Sequence, residues 1–189
     1  MPSRHDAAIE ALYRARGKAE IVDGELVVMT PAGGLHGYAA AQILVSLHQY
    51  ARRTKRGVAL GDNVGYVVHL PNRKSFCPDV SLWTGPLTPK FLDGPPLLAV
   101  EIRSDEDYGP AAERAMARKR ADYFAAGTLV VWDVDVLKER LVRVFRAAAP
   151  ERPAVYGAGS LAEAEPAAPG WSMPVADLFP PAPSTTTGD

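Results

Sequence analysis

Two acidic residues stand in stretches that otherwise read as buried strands. Asp79 follows Pro78 at the head of Pro78-Asp-Val-Ser-Leu-Trp83, and Glu101 sits near the end of the almost continuously apolar Leu97-Leu-Ala-Val-Glu-Ile102. A carboxylate in such a run is expensive to bury unless it is paired or coordinates a metal. If the two runs are adjacent strands, the carboxylates could converge within reach of one ion, and such a pair suits Mg²⁺, a hard cation that takes oxygen ligands and keeps several waters. The alternative is that Glu101 ends its strand in solvent or pairs with an arginine, and spacing alone leaves both readings open. A third group comes from the stretch 110–126, where Ala112, Ala115, Met116, Lys119 and Tyr123 recur at spacings of three and four and so share one helical face. An ammonium on that face needs either an anionic partner, which the acid pair would supply, or a path to solvent along its methylene stem.

These residues need elements to hold them. Residues 6–16 read as a lead-in helix stopped by Gly17, and Asp23-Gly24 between two short apolar runs predicts a hairpin with a type I′ turn. Over 36–53 the apolar residues Ala40, Ile43, Leu44, Leu47 and Tyr50 mark an amphipathic helix. Strands are expected over 65–70, 78–83 and 97–102, then the helix 110–126 ending at Gly127, then strands over 128–135 and 140–145. A short strand near 154–156 and a closing segment 171–179 complete a single domain over 1–179, with a disordered Pro-, Ser- and Thr-rich tail over 180–189.

Composition narrows the classes. The 189 residues, 47% of them hydrophobic, suffice for one core. The formal net charge of -1 means that a nucleic-acid partner must meet a local basic patch. A lone Cys77 excludes an intramolecular disulfide framework, and the charged N-terminus is unlike a signal peptide. No window is apolar for the roughly 20 residues needed to span a bilayer. The expectation is a cytoplasmic protein with no membrane role.

The residues resemble, in order, those of the large bacterial Uma-two family of the PD-(D/E)XK nuclease superfamily. The resemblance covers about 20–179 and rests on Ala19-Glu-Ile-Val-Asp-Gly-Glu-Leu-Val-Val-Met-Thr-Pro31 followed by His36, on Pro78-Asp79-Val80, on Val100-Glu101-Ile102, on Lys119-Arg-Ala-Asp-Tyr123 with Ala126-Gly127, and on Val131-Trp-Asp-Val-Asp135. It implies an α/β, restriction-endonuclease-like core with a mixed central β-sheet flanked by helices, preceded by an N-terminal helix and β-hairpin. Its activity would be Mg²⁺- or Mn²⁺-dependent hydrolysis of phosphodiester bonds in DNA.

On that resemblance Asp79 and Glu101 would be the two metal-binding acids, the Ile102 carbonyl a further ligand, and Lys119 the group that orients the attacking water. The superfamily's usual lysine lies two residues beyond the second acid, where this chain has Arg103, which stays protonated and is either a phosphate-contacting cation or a surface residue. The Ser-Pro common after the second acid is here Ser104-Asp105, which leaves the loop conformation open. Glu20, Glu25, His36 and Tyr123 stand as accessory candidates. Glu20 and Glu25 could instead pair with arginines, and His36 could cap its helix.

Arg114, Arg118 and Arg120 on the lysine's helix are candidates for nucleic-acid contact, as are Arg52, Arg53, Lys55 and Arg56; a solvated face is the plain reading of each group. Cutting both strands of a duplex is easiest for two symmetric sites, which favours a homodimer. The rival reading is a catalytically silent nuclease-fold binding protein, and a third is a phosphodiesterase for small molecules or nucleotides.

Overall fold

The computed structural model describes residues 4–181, so the tail predicted over 180–189 lies outside the described residues from 182 onward. Helix α1 (Arg4–Arg14) leads to the hairpin of β1 (Ala19–Val22) and β2 (Glu25–Val28). Asp23 and Gly24 turn it at φ 52° and 83°, the two positive values that a type I′ turn requires. Helix α2 (Gly34–Thr54) buries a stripe of Ala39, Ile43, Leu47 and Tyr50. There follow β3 (Val58–Leu60), β4 (Tyr66–Val67), β5 (Ser75–Phe76), β6 (Val80–Trp83), β7 (Leu92–Asp93) and β8 (Leu98–Ile102). Helix α3 (Pro110–Ala126) crosses to β9 (Val130–Asp135), and β10 (Leu141–Arg146), β11 (Ala149–Gly157), β12 (Leu161–Glu163), β13 (Ser172–Pro174) and a 3₁₀ turn (Val175–Leu178) follow among the described residues.

The central sheet has the order β11-β10-β9-β8-β6-β3. Only β8 and β9 run parallel, joined through α3 as a parallel pair requires, and the other neighbours are antiparallel, so the sheet is mixed. Alternation along β8 sorts its side chains. Leu98, Val100 and Ile102 join the core beneath α2 and the closing segment, while Ala99 joins the core that contains Tyr123 of α3. Glu101 shares the second face with Ala99. Gly127, at φ 116°, ends α3 by donating its N–H to the carbonyls of Tyr123 and Phe124 at 3.2 and 3.1 Å, and the chain turns directly into β9.

The closing segment packs as expected, with Trp171 stacked on Trp132 of β9 at 4.9 Å between ring centroids and Met173, Val175 and Leu178 buried beside it. Two expectations differ. The strand read over 65–70 is the two-residue β4, in a separate sheet of order β5-β4-β7 that covers the α3 side, and Pro71 cannot continue its ladder. The strand read at 154–156 is part of the nine-residue β11.

Candidate active site

Asp79 stands one residue before β6, where the pairing Val80↔Val100 locks it beside β8. Its N–H donates to the Val100 carbonyl at 3.0 Å, and its Oδ2 accepts the Ile102 N–H at 2.7 Å, so this residue ties the two strands together. Oδ2 also lies 3.2 Å from Nε2 of His36, and Lys18 Nζ donates to Oδ1. Burial alone would raise the Asp79 carboxyl, but His36 and Lys18 outweigh it and hold the group well below the usual carboxylate range. The same contact raises the His36 imidazole against the opposing effect of burial. His36 lies within the first turn of α2, whose N-cap is Gly33 with no side-chain capping bond, so its ring serves Asp79 and not the helix end.

Glu101 receives Lys119 Nζ on Oε2 at 2.9 Å and the Tyr123 hydroxyl on Oε1 at 2.7 Å. Lys119 and Tyr123 are four residues apart on α3, which is why one carboxylate meets both. The Glu101 side chain is 21% exposed against 5% for Asp79, so solvent reaches the cluster at Glu101. Its carboxyl is raised, first by burial and then by the neighbouring charges of Asp79 and Glu20, with Lys119 opposing. Lys119 itself is raised: burial disfavours its charge, but Glu101 and Glu20 outweigh that, and the ammonium stays protonated at neutral pH.

Glu20 of β1 closes the cluster. Its Oε1 lies 2.9 Å from Lys119 Nζ and accepts the Cys77 N–H at 2.9 Å, while Oε2 accepts Arg73 Nη1 at 2.6 Å. Arg73, buried, turns its Nε to Asp122 at 2.8 Å. Burial pushes the Cys77 thiol up to about 12, so it is a protonated packing group and no nucleophile.

Lys18, Asp62, Arg73 and Asp122 were not foreseen as parts of this cluster. Lys18 had a signal, because it precedes Glu20 by two and strand alternation puts such residues on one face. Arg73 and Asp122 meet across 49 positions of chain, for which spacing gives no sign.

The remaining candidates lie elsewhere. Arg103 is buried and bound to Asp133 and Glu113. Glu25 is exposed on β2. Arg114 and Arg118 are exposed, with Arg118 paired to Asp23 at 2.6 Å, whereas Arg120 turns inward, 3.6 Å from Asp133 and over the Phe145 ring.

Among the described residues no group of three His, Cys, Asp or Glu side chains is placed to hold an ion by itself. The site instead offers two carboxylates of hard oxygen donors, Asp79 at the head of β6 and Glu101 on its neighbour β8. That donor set fits a hard divalent cation of the kind that completes its shell with water and substrate oxygens.

A family model described as "Putative restriction endonuclease" and named Uma2 matches residues 7–176. The chain belongs to the Uma2 family. A solved structure described as "a putative nuclease belonging to DUF820", from Anabaena variabilis, superposes with a TM-score of 0.71 at 17% identity, covering 90% of this chain and 96% of the other. At that identity the likeness shows the fold, which is the nuclease-type α/β core with its mixed sheet. No curated protein matches the chain. No helix among the described residues is long and apolar enough to cross a membrane.

Proposed function

We propose that this Uma2 chain is a Mg²⁺-dependent endonuclease, active also with Mn²⁺, that hydrolyses phosphodiester bonds in DNA in the cytoplasm. The observation that carries the reading is the contact of Lys119 Nζ with Glu101 at 2.9 Å on β8, the strand to which Asp79 is also bonded, and membership of the family supports it. Asp79, Glu101 and the Ile102 carbonyl would hold the ion. Its chemistry, when bound, is to lower the pKa of water and to neutralise charge on the phosphate.

The chain's own groups do the rest. Lys119, held protonated, orients the attacking water and stabilises charge developing on the phosphate; it removes no proton. Glu20 fixes the ammonium from the other side, Arg73, itself bonded to Asp122, fixes Glu20, and Tyr123 holds the second oxygen of Glu101. Arg114 and Arg118, exposed on the same helix as Lys119, are the proposed contacts to the DNA backbone. Cleavage of both strands would be served by two copies related by a twofold axis.

The test is incubation of the purified chain with supercoiled plasmid and Mg²⁺ or Mn²⁺. Nicked or linear product is expected, and Asp79→Ala or Glu101→Ala should each abolish it. Cleavage retained by both variants overturns the assignment. Calorimetry that finds no divalent ion on the wild type would favour a silent, DNA- or partner-binding member of the fold.

A further inference from the structure

Lys18 holds an unusual place among the charges of the site. Its Nζ bonds Oδ1 of Asp79, lies 2.9 Å from Oδ1 of Asp62, and acts electrostatically on Glu101 as well. The other oxygen of Asp79 is taken by the Ile102 N–H and by His36. Both oxygens of Asp79 are therefore engaged, and an ion that approaches Oδ1 meets the Lys18 ammonium there. Lys119 is differently placed, since its partners are Glu20 and Glu101.

We propose that Lys18 is a tethered cation that keeps the metal's place between Asp79 and Glu101, and that it withdraws onto Asp62 when a divalent ion binds. This rests on the metal reading above. The ammonium has three donors and no acceptor, on a stem with four rotatable carbons, so it can exchange one carboxylate for another without losing its charge pairing. The Asp62 side chain, 51% exposed, stands at the solvent end of that path, and the buried Asp79 at the inner end.

Lys18 joins His36 and Lys119 in offsetting the negative charge of Asp79 and Glu101 in the free protein, where like charges otherwise drive each other toward protonation. The consequence is a weaker affinity for metal, since binding must first release the Lys18 contact.

Mn²⁺ titration calorimetry on the full chain tests this, with Lys18→Met, Lys18→Gln, Asp62→Asn and the double variant Lys18→Met/Asp62→Asn, each checked by thermal unfolding. Removing the lysine should tighten Mn²⁺ binding about tenfold, the lower end of what groups around a metal's ligands usually contribute. Asp62→Asn should weaken binding with Lys18 present and have much less effect without it, the non-additivity expected of groups that act through each other.

Unchanged or weaker binding in the folded Lys18 variants overturns the inference while leaving the metal reading standing, and Lys18→Gln decides should Lys18→Met not fold. An equal effect of Asp62→Asn in both backgrounds overturns the withdrawal. No Mn²⁺ binding by the wild type or by any Lys18 variant overturns the inference and the metal reading together.

Discussion

Arg103 and Asp133 close a planar fork in the protein interior, Nε on Oδ1 at 2.7 Å and Nη2 on Oδ2 at 2.8 Å. Both are almost wholly buried, and Glu113 of α3 binds the outer side of the same guanidinium. The residue two beyond Glu101 is thus a clamp between β8, β9 and α3. Arg103→Ala removes the fork and leaves the buried Asp133 carboxylate with only Arg120, 3.6 Å away, so a loss toward the lower end of the about 3–5 kcal/mol typical of a broken buried pair is expected. Arg103→Lys restores the charge but not the fork, and an intermediate loss is expected. Urea unfolding measures both, and equal stability of Arg103→Ala and the wild type would refute this structural role.

Arg103 also marks how far the sequence could be read. Spacing made the two acids and Lys119 candidates, because a carboxylate is conspicuous in an apolar strand and helical periodicity puts Lys119 on the face of Met116 and Tyr123, but it left structural readings open, and their roles came from the family resemblance. Both signals are local. What Arg103 does is decided by Asp133, thirty positions away on a strand whose neighbour only the fold reveals. Arg120 was grouped with Arg114 and Arg118 by charge, yet at 100° per residue it lies well round the helix from both, and it faces Asp133 and Phe145. The strands that went unread, β3, β5, β7 and β12, are two or three residues long, too short for alternation to register.

Lys119→Met should retain the fold and lose cleavage. The methionine keeps an unbranched apolar side chain of similar length but supplies no donor to water or phosphate. A fall in the single-turnover rate of about 10²–10⁴-fold is expected for the loss of a positioned polar group in the transition state. Lys119→Arg should recover little, because the planar guanidinium does not match the position of Nζ, 2.9 Å from both Glu20 and Glu101. Wild-type rates in Lys119→Met would remove the residue from the mechanism.

Tyr123→Phe removes the hydroxyl that donates to Glu101 Oε1 at 2.7 Å. That bond favours the ionised carboxylate, so its loss raises further a carboxyl that burial and the charges of Asp79 and Glu20 have already raised. Since Glu101 must be ionised to bind metal, the acid limb of the pH–rate profile should move to higher pH while the rate well above that limb changes less. A limb that stays in place, or moves to lower pH, contradicts the assignment.

His36 should make stability depend on pH in a definite direction. Its folded-state pKa is raised above the ordinary 6.5, because Asp79 outweighs the burial that would lower it. A raised group contributes stability that is fully present below the unfolded value and is lost as pH rises through the folded value. Asp79, held well below the usual carboxylate range, stays ionised across this window and keeps the pair intact on the acid side. The stability difference between the wild type and His36→Gln should therefore be largest below pH 6.5 and shrink as pH rises. Urea unfolding of both proteins at several pH values gives the comparison. A difference that grows with rising pH would mean that His36 is held in its neutral form and that its contact with Asp79 is not the ion pair the geometry implies.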